Sequence, residues 1–282
     1  MTLLQPLRKA TLTSFDMEKD KSARIAGISR LRIETDGPGI RTLVPLSGCL
    51  LDCVYCINDR LRRAYVGEEY TPEELLDQVR LDAIYFMASG GGITFGGGEP
   101  LLRSEFIRHF KEICPPEWTI AVETSLNVPT DDVEALLGVV DFWIVDIKDM
   151  DPKRYLEYTG ETNERVLANL ETLRAQCDVS KILIRVPRIP GLNGAEEVDC
   201  SADIIREMGF ETEVFDYAIP ENFRNQFSDR KILTGSLIDS SDADPESDRE
   251  RGKVRHRYLK NFFDILTTPL VGAICSNEYW TD

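Results

Sequence analysis

The sequence contains few histidines and no long apolar segment. His109 and His256 are its only histidines, and we expect each to be structural or solvated rather than catalytic. The longest apolar stretches, residues 136–145 and 269–275, fall well short of the roughly 20 residues that a bilayer span needs. The N-terminus also lacks the continuous apolar segment of a secretion signal. We therefore predict a cytoplasmic protein without a membrane partner.

Basic residues are in the minority. The hydrophobic share of 42% and the charged share of 29% are ordinary for a globular protein, which disfavours collagen, coiled coil and disorder. Within the charged share, 33 Lys and Arg face 49 Asp and Glu, so the formal net charge at pH 7 is -16. This charge repels nucleic-acid phosphates unless a local basic patch overrides it. We therefore expect no nucleic-acid partner.

Apolar, β-branched runs alternate with amphipathic stretches from residue 25 onward. Strands are predicted at residues 42–46, 92–95, 119–123, 142–147, 181–187 and 213–217. Helices are predicted after a capping Thr71 and at residues 130–137, 164–176 and 195–208. Strands separated by helices pair in parallel through right-handed crossovers. Because about six such units are visible instead of eight, the pattern predicts an α/β fold, a partial (β/α)6 barrel of the TIM type.

The composition divides the chain into four predicted parts. They are an N-terminal extension (1–24), the barrel (25–235), an acidic flexible loop (236–253) and a C-terminal helix with a tail (254–282). Acidic and turn-forming residues fill the loop, which is typical of a mobile surface segment. The last helix carries its apolar side chains on one face, so we expect it to pack on the barrel.

Seven cysteines are present, and three of them, Cys49, Cys53 and Cys56, lie within eight residues of each other after an apolar strand. An odd count without a secretion signal disfavours a disulfide framework. A structural zinc site normally has four protein ligands, and this sequence offers no second cysteine pair. In a cubane iron–sulfur cluster, three thiolates leave one iron free for an outside ligand. The scattered cysteines are interpreted as core or surface thiols: Cys114, Cys177, Cys200 and Cys275.

The Cys-x3-Cys-x2-Cys spacing, with Tyr55 before the last thiol, resembles the signature of the radical S-adenosylmethionine (SAM) superfamily. The segments 35–42 and 88–101 further resemble the activating enzymes of pyruvate formate-lyase and other glycyl radical enzymes. This resemblance spans roughly residues 27 to 195. It implies a [4Fe–4S] cluster held by the three cysteines, and reductive cleavage of SAM to methionine and a 5′-deoxyadenosyl radical.

The resemblance also implies which strand-end residues bind the cofactor. Glu99, after the glycines at 96–98, would bind the α-amino group of SAM, and Lys148 would neutralise its carboxylate. Arg185 would lie near the cofactor, or else form a salt bridge within the barrel. A monovalent cation, Na⁺ or K⁺, would be held by oxygen ligands, with Glu replacing the family's Asp at position 123. The cofactor-binding set is Tyr55, Gly97, Gly98, Glu99, Glu123, Thr124, Asp146, Lys148 and Arg185, of which Glu123, Thr124 and Asp146 would hold the cation.

The resemblance implies that the hydrogen atom is taken from a backbone glycine of a glycyl radical enzyme. Asp36 would contact the glycine loop of that partner, or else belong to a simple Pro–Gly turn. The sequence departs from the family at Ile57, Tyr155 and Ala218, where the family has histidines. Asn169 matches a family helix and is expected to serve packing.

No cysteine-rich insert follows Cys56, so additional clusters are not expected. The single cluster would receive its electron from an outside donor of the flavodoxin or ferredoxin type. Three functions remain open at this point. They are activation of a glycyl radical enzyme, radical chemistry on a small molecule or peptide, and a metal-binding module without turnover.

Overall fold

The computed structural model describes residues 22–33 and 35–217. Its strands are β1 (Ala23–Ile25), β2 (Ser29–Ile33), β3 (Ile40–Leu46), β4 (Glu68–Tyr70), β5 (Gly92–Gly97), β6 (Thr119–Thr124), β7 (Phe142–Asp146), β8 (Ile182–Arg188) and β9 (Glu211–Asp216). Its α-helices are α1 (Pro72–Val79), α2 (Ala83–Ser89), α3 (Ser104–Ile113), α4 (Thr130–Glu134), α5 (Pro152–Thr159), α6 (Glu164–Gln176) and α7 (Ala195–Glu207). Short 3₁₀ turns lie at Asp59–Arg62, Arg80–Asp82, Pro100–Arg103 and Val179–Lys181.

The strands form one sheet in the order β4-β1-β3-β5-β6-β7-β8-β9, with β2 also paired to β3. The strands β3, β5, β6, β7, β8 and β9 are parallel neighbours. From β5 onward, helical segments separate consecutive parallel strands along the chain, as right-handed crossover units require. The predicted partial (β/α)6 barrel is confirmed. The strands β1, β2 and β4 are antiparallel additions beside β3.

The six predicted strands correspond to the six parallel strands, with ends that differ by at most two residues. Helix α1 begins after Thr71, whose hydroxyl accepts a hydrogen bond from the Glu74 backbone N–H while the Glu74 carboxylate accepts one from the Thr71 N–H. The prediction omitted α2, α3, α5 and the three antiparallel strands. Two of those strands have only three residues, too few to show an alternating pattern.

The hydrophobic core joins the parallel strands to the helices. Phe95 on β5 makes edge-to-face contacts with Phe106 and Phe110 on α3, at centroid distances of 6.3 and 5.6 Å. Phe86 on α2 packs in the same way against Trp118 at 4.9 Å. Such pairs stabilise the fold beyond their buried area by about 0.5–1.5 kcal/mol each. The core therefore fixes the sheet, and the polar residues at the strand ends are held on a rigid frame.

The described residues bear on part of the predicted division. Strand β1 begins at Ala23, so the last residues of the predicted extension belong to the sheet. Residues 1–21, the acidic loop at 236–253 and the C-terminal helix and tail at 254–282 lie outside the described residues and stay predictions. Among the helices of 22–33 and 35–217, none combines the length and apolar character needed to cross a membrane.

Candidate active site

A cavity of about 690 Å³ lies at the carboxyl ends of the parallel strands. This is the end at which α/β barrels keep their chemistry, and the volume is typical of a small-molecule site. Every site residue predicted from the sequence lines the cavity: Asp36, Cys49, Cys53, Tyr55, Cys56, Gly97, Gly98, Glu99, Glu123, Thr124, Asp146, Lys148 and Arg185. The fold thus brings together residues that are up to about 150 positions apart in the sequence.

The cysteine loop follows β3 and is fixed by its backbone. The N–H groups of Gly48 and Cys49 donate to the carbonyls of Leu61 and Arg62, at 2.7 and 3.1 Å. On the other side, the N–H of Asp52 donates to the carbonyl of Thr159 at 2.8 Å. The loop is therefore held between the turn that follows it and helix α5.

The three thiols occupy a buried environment that fits a cluster. Burial raises the pKa of Cys49, Cys53 and Cys56 to about 12 each, and the charges of neighbouring thiolates add to the effect. Thiolates there need a bound cationic centre. A [4Fe–4S] cubane would bind each of the three thiolates through a different iron.

The glycines after β5 are required by close backbone packing. Gly97 has φ of +95°, and a Cβ there would lie 2.7 Å from the Cβ of Pro45. A Cβ on Gly98 would lie 2.3 Å from the carbonyl oxygen of Gly48, at the start of the cysteine loop. The N–H groups of Gly98 and Glu99 donate to Leu46 and Gly48 at 2.8 and 2.7 Å. These glycines therefore join the end of β5 to the cysteine loop.

Glu99 is 2% exposed, and its carboxylate accepts hydrogen bonds at both oxygens. Oε1 accepts from the Thr124 hydroxyl at 2.6 Å and the Leu101 N–H at 3.3 Å. Oε2 accepts from the N–H and hydroxyl of Ser125 at 2.9 and 2.7 Å. Burial raises the pKa of Glu99, and these hydrogen bonds oppose the rise. Ser125 was not predicted, although its position beside Thr124 at a strand end was an available signal.

Four charged side chains form a chain across the ends of β6, β7 and β8. The Arg185 guanidinium donates from Nε to Asp146 Oδ1 at 2.8 Å and from Nη1 to Glu123 Oε1 at 3.4 Å. Lys148 Nζ lies 3.5 Å from Asp146 Oδ2. Arg185 thus forms the salt bridges of the second alternative and also lines the cavity, whereas its predicted place near the cofactor stays a prediction.

Burial and neighbouring charges together set the pKa values of Glu123, Asp146 and Lys148. Burial raises the pKa of Glu123 to about 7 against the opposing charge of Arg185. Burial alone would also raise the pKa of Asp146, but Arg185 and Lys148 outweigh it and hold that pKa below its usual value. The pKa of Lys148 is raised, because Asp146, Cys53 and Cys56 outweigh burial. A cation at Lys148 and a buried carboxylate at Glu99 fit the zwitterionic amino-acid end of SAM.

The remainder of the cavity also fits a ligand. The buried hydroxyl of Tyr55, a residue that is 2% exposed, has no hydrogen-bond partner among the described residues. Its ring packs edge to face against Tyr217 at 5.2 Å, and the Tyr217 hydroxyl donates to the Tyr55 carbonyl at 2.9 Å. Buried polar groups are normally paired, so an unpaired hydroxyl in a cavity wall points to a missing partner.

Asp36 lines the cavity but is 2% exposed, and its carboxylate is bound by another side chain. Arg32 on β2 donates to both Asp36 oxygens, one from Nη2 at 3.0 Å and one from Nε. The sequence interpretation missed Arg32, because only the sheet brings β2 to this wall. A second arginine of the same region, Arg41, is 1% exposed and donates to backbone and threonine oxygens of β5 and β6.

Two of the three departures from the family lie in the described residues. Ile57 lines the cavity, whereas the buried Tyr155 accepts a hydrogen bond from the Asn127 amide at 3.0 Å behind it. Ala218 lies outside the described residues.

Asn169 is fully buried and donates to the carbonyls of Leu126 and Val128, so it packs α6 onto the loop after β6 as predicted.

The described residues that were predicted to have no role in the site do not line the cavity. His109 is on α3, where its Nε2 lies 3.4 Å from Glu73. Cys114 is buried, Cys177 is half-buried and Cys200 is exposed, and none of the three lines the cavity. His256 and Cys275 lie outside the described residues.

Comparisons with known proteins agree with this geometry. The family model of the radical SAM superfamily matches residues 43–200, more than half of the chain. The chain is 34% identical over 245 residues to the benzylsuccinate synthase activating enzyme of Thauera aromatica, a match that covers 64% of this chain and 73% of that one. It is 33% identical over 178 residues to the pyruvate formate-lyase 1-activating enzyme of Escherichia coli, covering 62% and 72%.

A third relative is less similar in sequence, but the match covers more of its length. The isethionate sulfite-lyase activating enzyme of Nitratidesulfovibrio vulgaris is 28% identical over 265 residues, covering 72% of this chain and 86% of that one. Among solved structures, Streptococcus suis SuiB bound to S-adenosylmethionine matches with a TM-score of 0.51 and 16% identity. That match covers 78% of this chain but 47% of SuiB, so the chain spans about half the length of that protein and shares its fold.

The cavity at the strand ends, the three buried thiols and the complementary charges for an amino acid agree with these similarities. Together they exclude the third function, a metal-binding module without turnover. The chain belongs to the radical SAM superfamily, and it is an enzyme whose cofactors are a [4Fe–4S] cluster and SAM.

Proposed function

We propose that this enzyme activates a glycyl radical enzyme by removing a hydrogen atom from the Cα of a backbone glycine in that partner. The observation that carries the proposal is that the cysteine loop and Asp36, in the turn before β3, line one cavity. The relatives at 33 and 34% identity are activating enzymes, and the chain covers 72% and 73% of their lengths.

The residues of this chain would bind and orient the reactants. When bound, the cluster and SAM supply an electron and a 5′-deoxyadenosyl radical, and release methionine. Glu99, Lys148 and Arg185 would hold the amino-acid end of SAM, so that the reactive carbon keeps a fixed position. Hydrogen transfer from the glycine Cα leaves a glycyl radical on the partner and forms 5′-deoxyadenosine. No protein acid or base takes part in that transfer.

The test is an anaerobic incubation of the reconstituted enzyme with SAM, dithionite and purified glycyl radical enzymes encoded beside it. The expected result is a glycyl radical doublet in the electron paramagnetic resonance spectrum, formed together with 5′-deoxyadenosine. A partner whose radical-site glycine is replaced by alanine should give no doublet, because the hydrogen donor is lost.

A Cys53→Ala variant provides the control on the enzyme side. It should lose the visible absorbance of the cluster, methionine release and the doublet together, since Cys53 is buried in the cysteine loop. Deoxyadenosine formation without a radical on any partner would contradict activation and favour chemistry on a small molecule or peptide. SAM cleavage by the Cys53→Ala variant would contradict the role of the cysteines.

The electron would come from a protein of the flavodoxin or ferredoxin type, which we propose docks on the outer side of the cysteine loop. Leu50 of this loop is 43% exposed and Tyr65 is 66% exposed. Arg60 and Arg63 are also exposed, and the Gly48 and Cys49 hydrogen bonds place their segment beside the loop. Arginine and tyrosine are enriched at protein interfaces, and the two arginines suit an acidic partner. We call Leu50, Arg60, Arg63 and Tyr65 the donor surface.

The monovalent cation at Glu123, Thr124 and Asp146 stays a prediction. The three side chains line the cavity, which supports a shared role. The hydrogen bonds that Glu123 and Asp146 accept from Arg185 nevertheless occupy carboxylate oxygens that a cation would need. The cytoplasmic location is likewise a prediction from the sequence.

A further inference from the structure

We propose that Arg185 is a built-in replacement for a bound cation in this enzyme. Its guanidinium lies between the carboxylates of Glu123 and Asp146, which the sequence assigned to Na⁺ or K⁺. SAM binding would then be independent of monovalent cations. The inference concerns the SAM site alone, and it does not depend on which partner or substrate receives the radical.

The hydrogen bonds of the three predicted cation ligands carry the argument. Asp146 accepts from Arg185 at Oδ1 and lies 3.5 Å from Lys148 Nζ at Oδ2. The Thr124 hydroxyl donates to Glu99 at 2.6 Å and accepts from the Leu126 N–H at 2.9 Å. A cation at Asp146 would have to compete with Arg185 and Lys148 for the carboxylate oxygens.

A positive charge already lies between these carboxylates. Arg185 pairs with both Glu123 and Asp146, and the side chains of Glu123 and Arg185 are 7% and 10% exposed. Because buried like charges repel each other, a further cation beside the Arg185 guanidinium would be unfavourable. The positive charge of Arg185 belongs to the protein itself, so no ion has to be bound from solution.

The glutamate at position 123 is what allows this contact. Glu123 lies on β6 and Arg185 on β8, and β7 runs between them with Asp146 in register with Arg185. Adjacent strands are about 4.8 Å apart, so the two side chains must span about 10 Å above β7. The shorter aspartate would withdraw the carboxylate from the guanidinium by one methylene. The residue that departs from the family is therefore the one that reaches the arginine.

The test measures SAM binding by equilibrium dialysis on the reconstituted protein. The buffer is free of Na⁺ and K⁺, and choline chloride keeps the ionic strength constant when either ion is added. The wild-type Kd should change by less than about twofold on addition of K⁺ or Na⁺. Arg185→Ala should bind SAM about tenfold more weakly in choline, as loss of an outer-shell partner typically does, and guanidinium or K⁺ should restore part of the loss.

Two further variants keep the test decisive. Glu123→Asp should retain the fold and acquire a response to K⁺, because it separates the carboxylate from Arg185. Arg188→Ala removes a neighbouring cavity arginine that pairs with Asp216. Even if this variant binds SAM with a different affinity, that affinity should not change when K⁺ is added. The melting temperature of the cluster-free proteins, with and without K⁺, provides a readout without SAM and should follow the same pattern.

A wild-type protein whose SAM affinity rises severalfold with Na⁺ or K⁺ would overturn the inference. So would an Arg185→Ala variant that binds SAM like the wild type in choline. Either result would leave activation of a partner untouched, because SAM binding is measured without any partner.

Discussion

Arg32 and Asp36 show how a single buried pair shapes the cavity wall. Their side chains are 4% and 2% exposed, and the guanidinium binds both oxygens of the carboxylate. The carbonyl of Asp36 also accepts a hydrogen bond from the Thr94 hydroxyl at 2.7 Å. Arg32 therefore holds the turn before β3 in place, and it fixes the residue predicted to meet the partner.

Replacement of Arg32 should reveal the cost of leaving Asp36 unpaired. Arg32→Met is expected to lower the free energy of unfolding by about 3 kcal/mol, because one buried charge loses its partner. Arg32→Met combined with Asp36→Asn should recover most of that loss, since the buried charge is then removed. Urea unfolding of the cluster-free protein measures both.

Arg24→Met is the matched control for this prediction. Arg24 pairs with Glu69 at 3.6 Å on the exposed side of β1, so its loss should cost less than about 1 kcal/mol. An Arg32→Met variant no less stable than Arg24→Met would show that the buried pair contributes little.

The position of the cysteine loop depends on contacts with the neighbouring secondary-structure elements. On one side, it is bonded to Gly98 and Glu99, which follow β5, and to Leu61 and Arg62 in the turn after the loop. On the opposite side, it is bonded to helix α5. None of these contacts involves a thiol. The loop is therefore held by its backbone and not by its thiols.

Gly98→Ala should disturb the loop without removing a ligand. The new Cβ would lie 2.3 Å from the Gly48 carbonyl oxygen, and backbone on both sides leaves no flexible group to move. We expect about tenfold weaker retention of the cluster, as for lost outer-shell support of a metal site. Iron content and visible absorbance after exposure to a chelator measure it.

Gly27→Ala provides the comparison, because a Cβ at Gly27 would meet nothing within 4 Å. It should retain iron like the wild type. If Gly98→Ala also retained iron like the wild type, the packing of β5 against the cysteine loop would not matter for the cluster.

The distribution of charge matters for the molecule as a whole. The chain carries a formal net charge of -16, which opposes the approach of another acidic protein. The donor surface is a local exception, with two exposed arginines beside the cysteine loop. Local charge complementarity raises association rates and is weakened by salt.

Reversal of the charges on the donor surface should therefore slow electron delivery from flavodoxin and no other step. With flavodoxin as the electron source at low salt, Arg60→Glu combined with Arg63→Glu should lower the rate of deoxyadenosine formation about tenfold. With dithionite as the source, the rate should be unchanged, since no docking is needed. The difference between variant and wild type should shrink as salt is added.

Arg80→Glu combined with Arg174→Glu makes the same change in net charge on exposed helical surfaces. This control should leave flavodoxin-driven turnover within about twofold of the wild type, because neither arginine belongs to the donor surface. Equal slowing in both double variants would argue against a specific donor surface.

Local pattern alone determined much of this protein. The six parallel strands and helices α1, α4, α6 and α7 follow from apolar runs and capping residues, which act over a few neighbours. The cysteine spacing likewise indicated a metal site, because the three thiols are close together in the chain. The roles of the strand-end residues came instead from the resemblance to a known family, and all of these residues line the cavity.

Which charged side chains contact each other depends on the tertiary structure. Glu123 and Arg185 are 62 residues apart in the sequence, and they touch because β6 and β8 flank β7 in register. Arg32 reaches the cavity because β2 pairs with β3, and Ser125 binds Glu99 because β6 lies beside β5. The sequence predicted the three cysteines as cluster ligands, whereas sheet order and register determined the partner of each carboxylate, since only packing brings distant strands together.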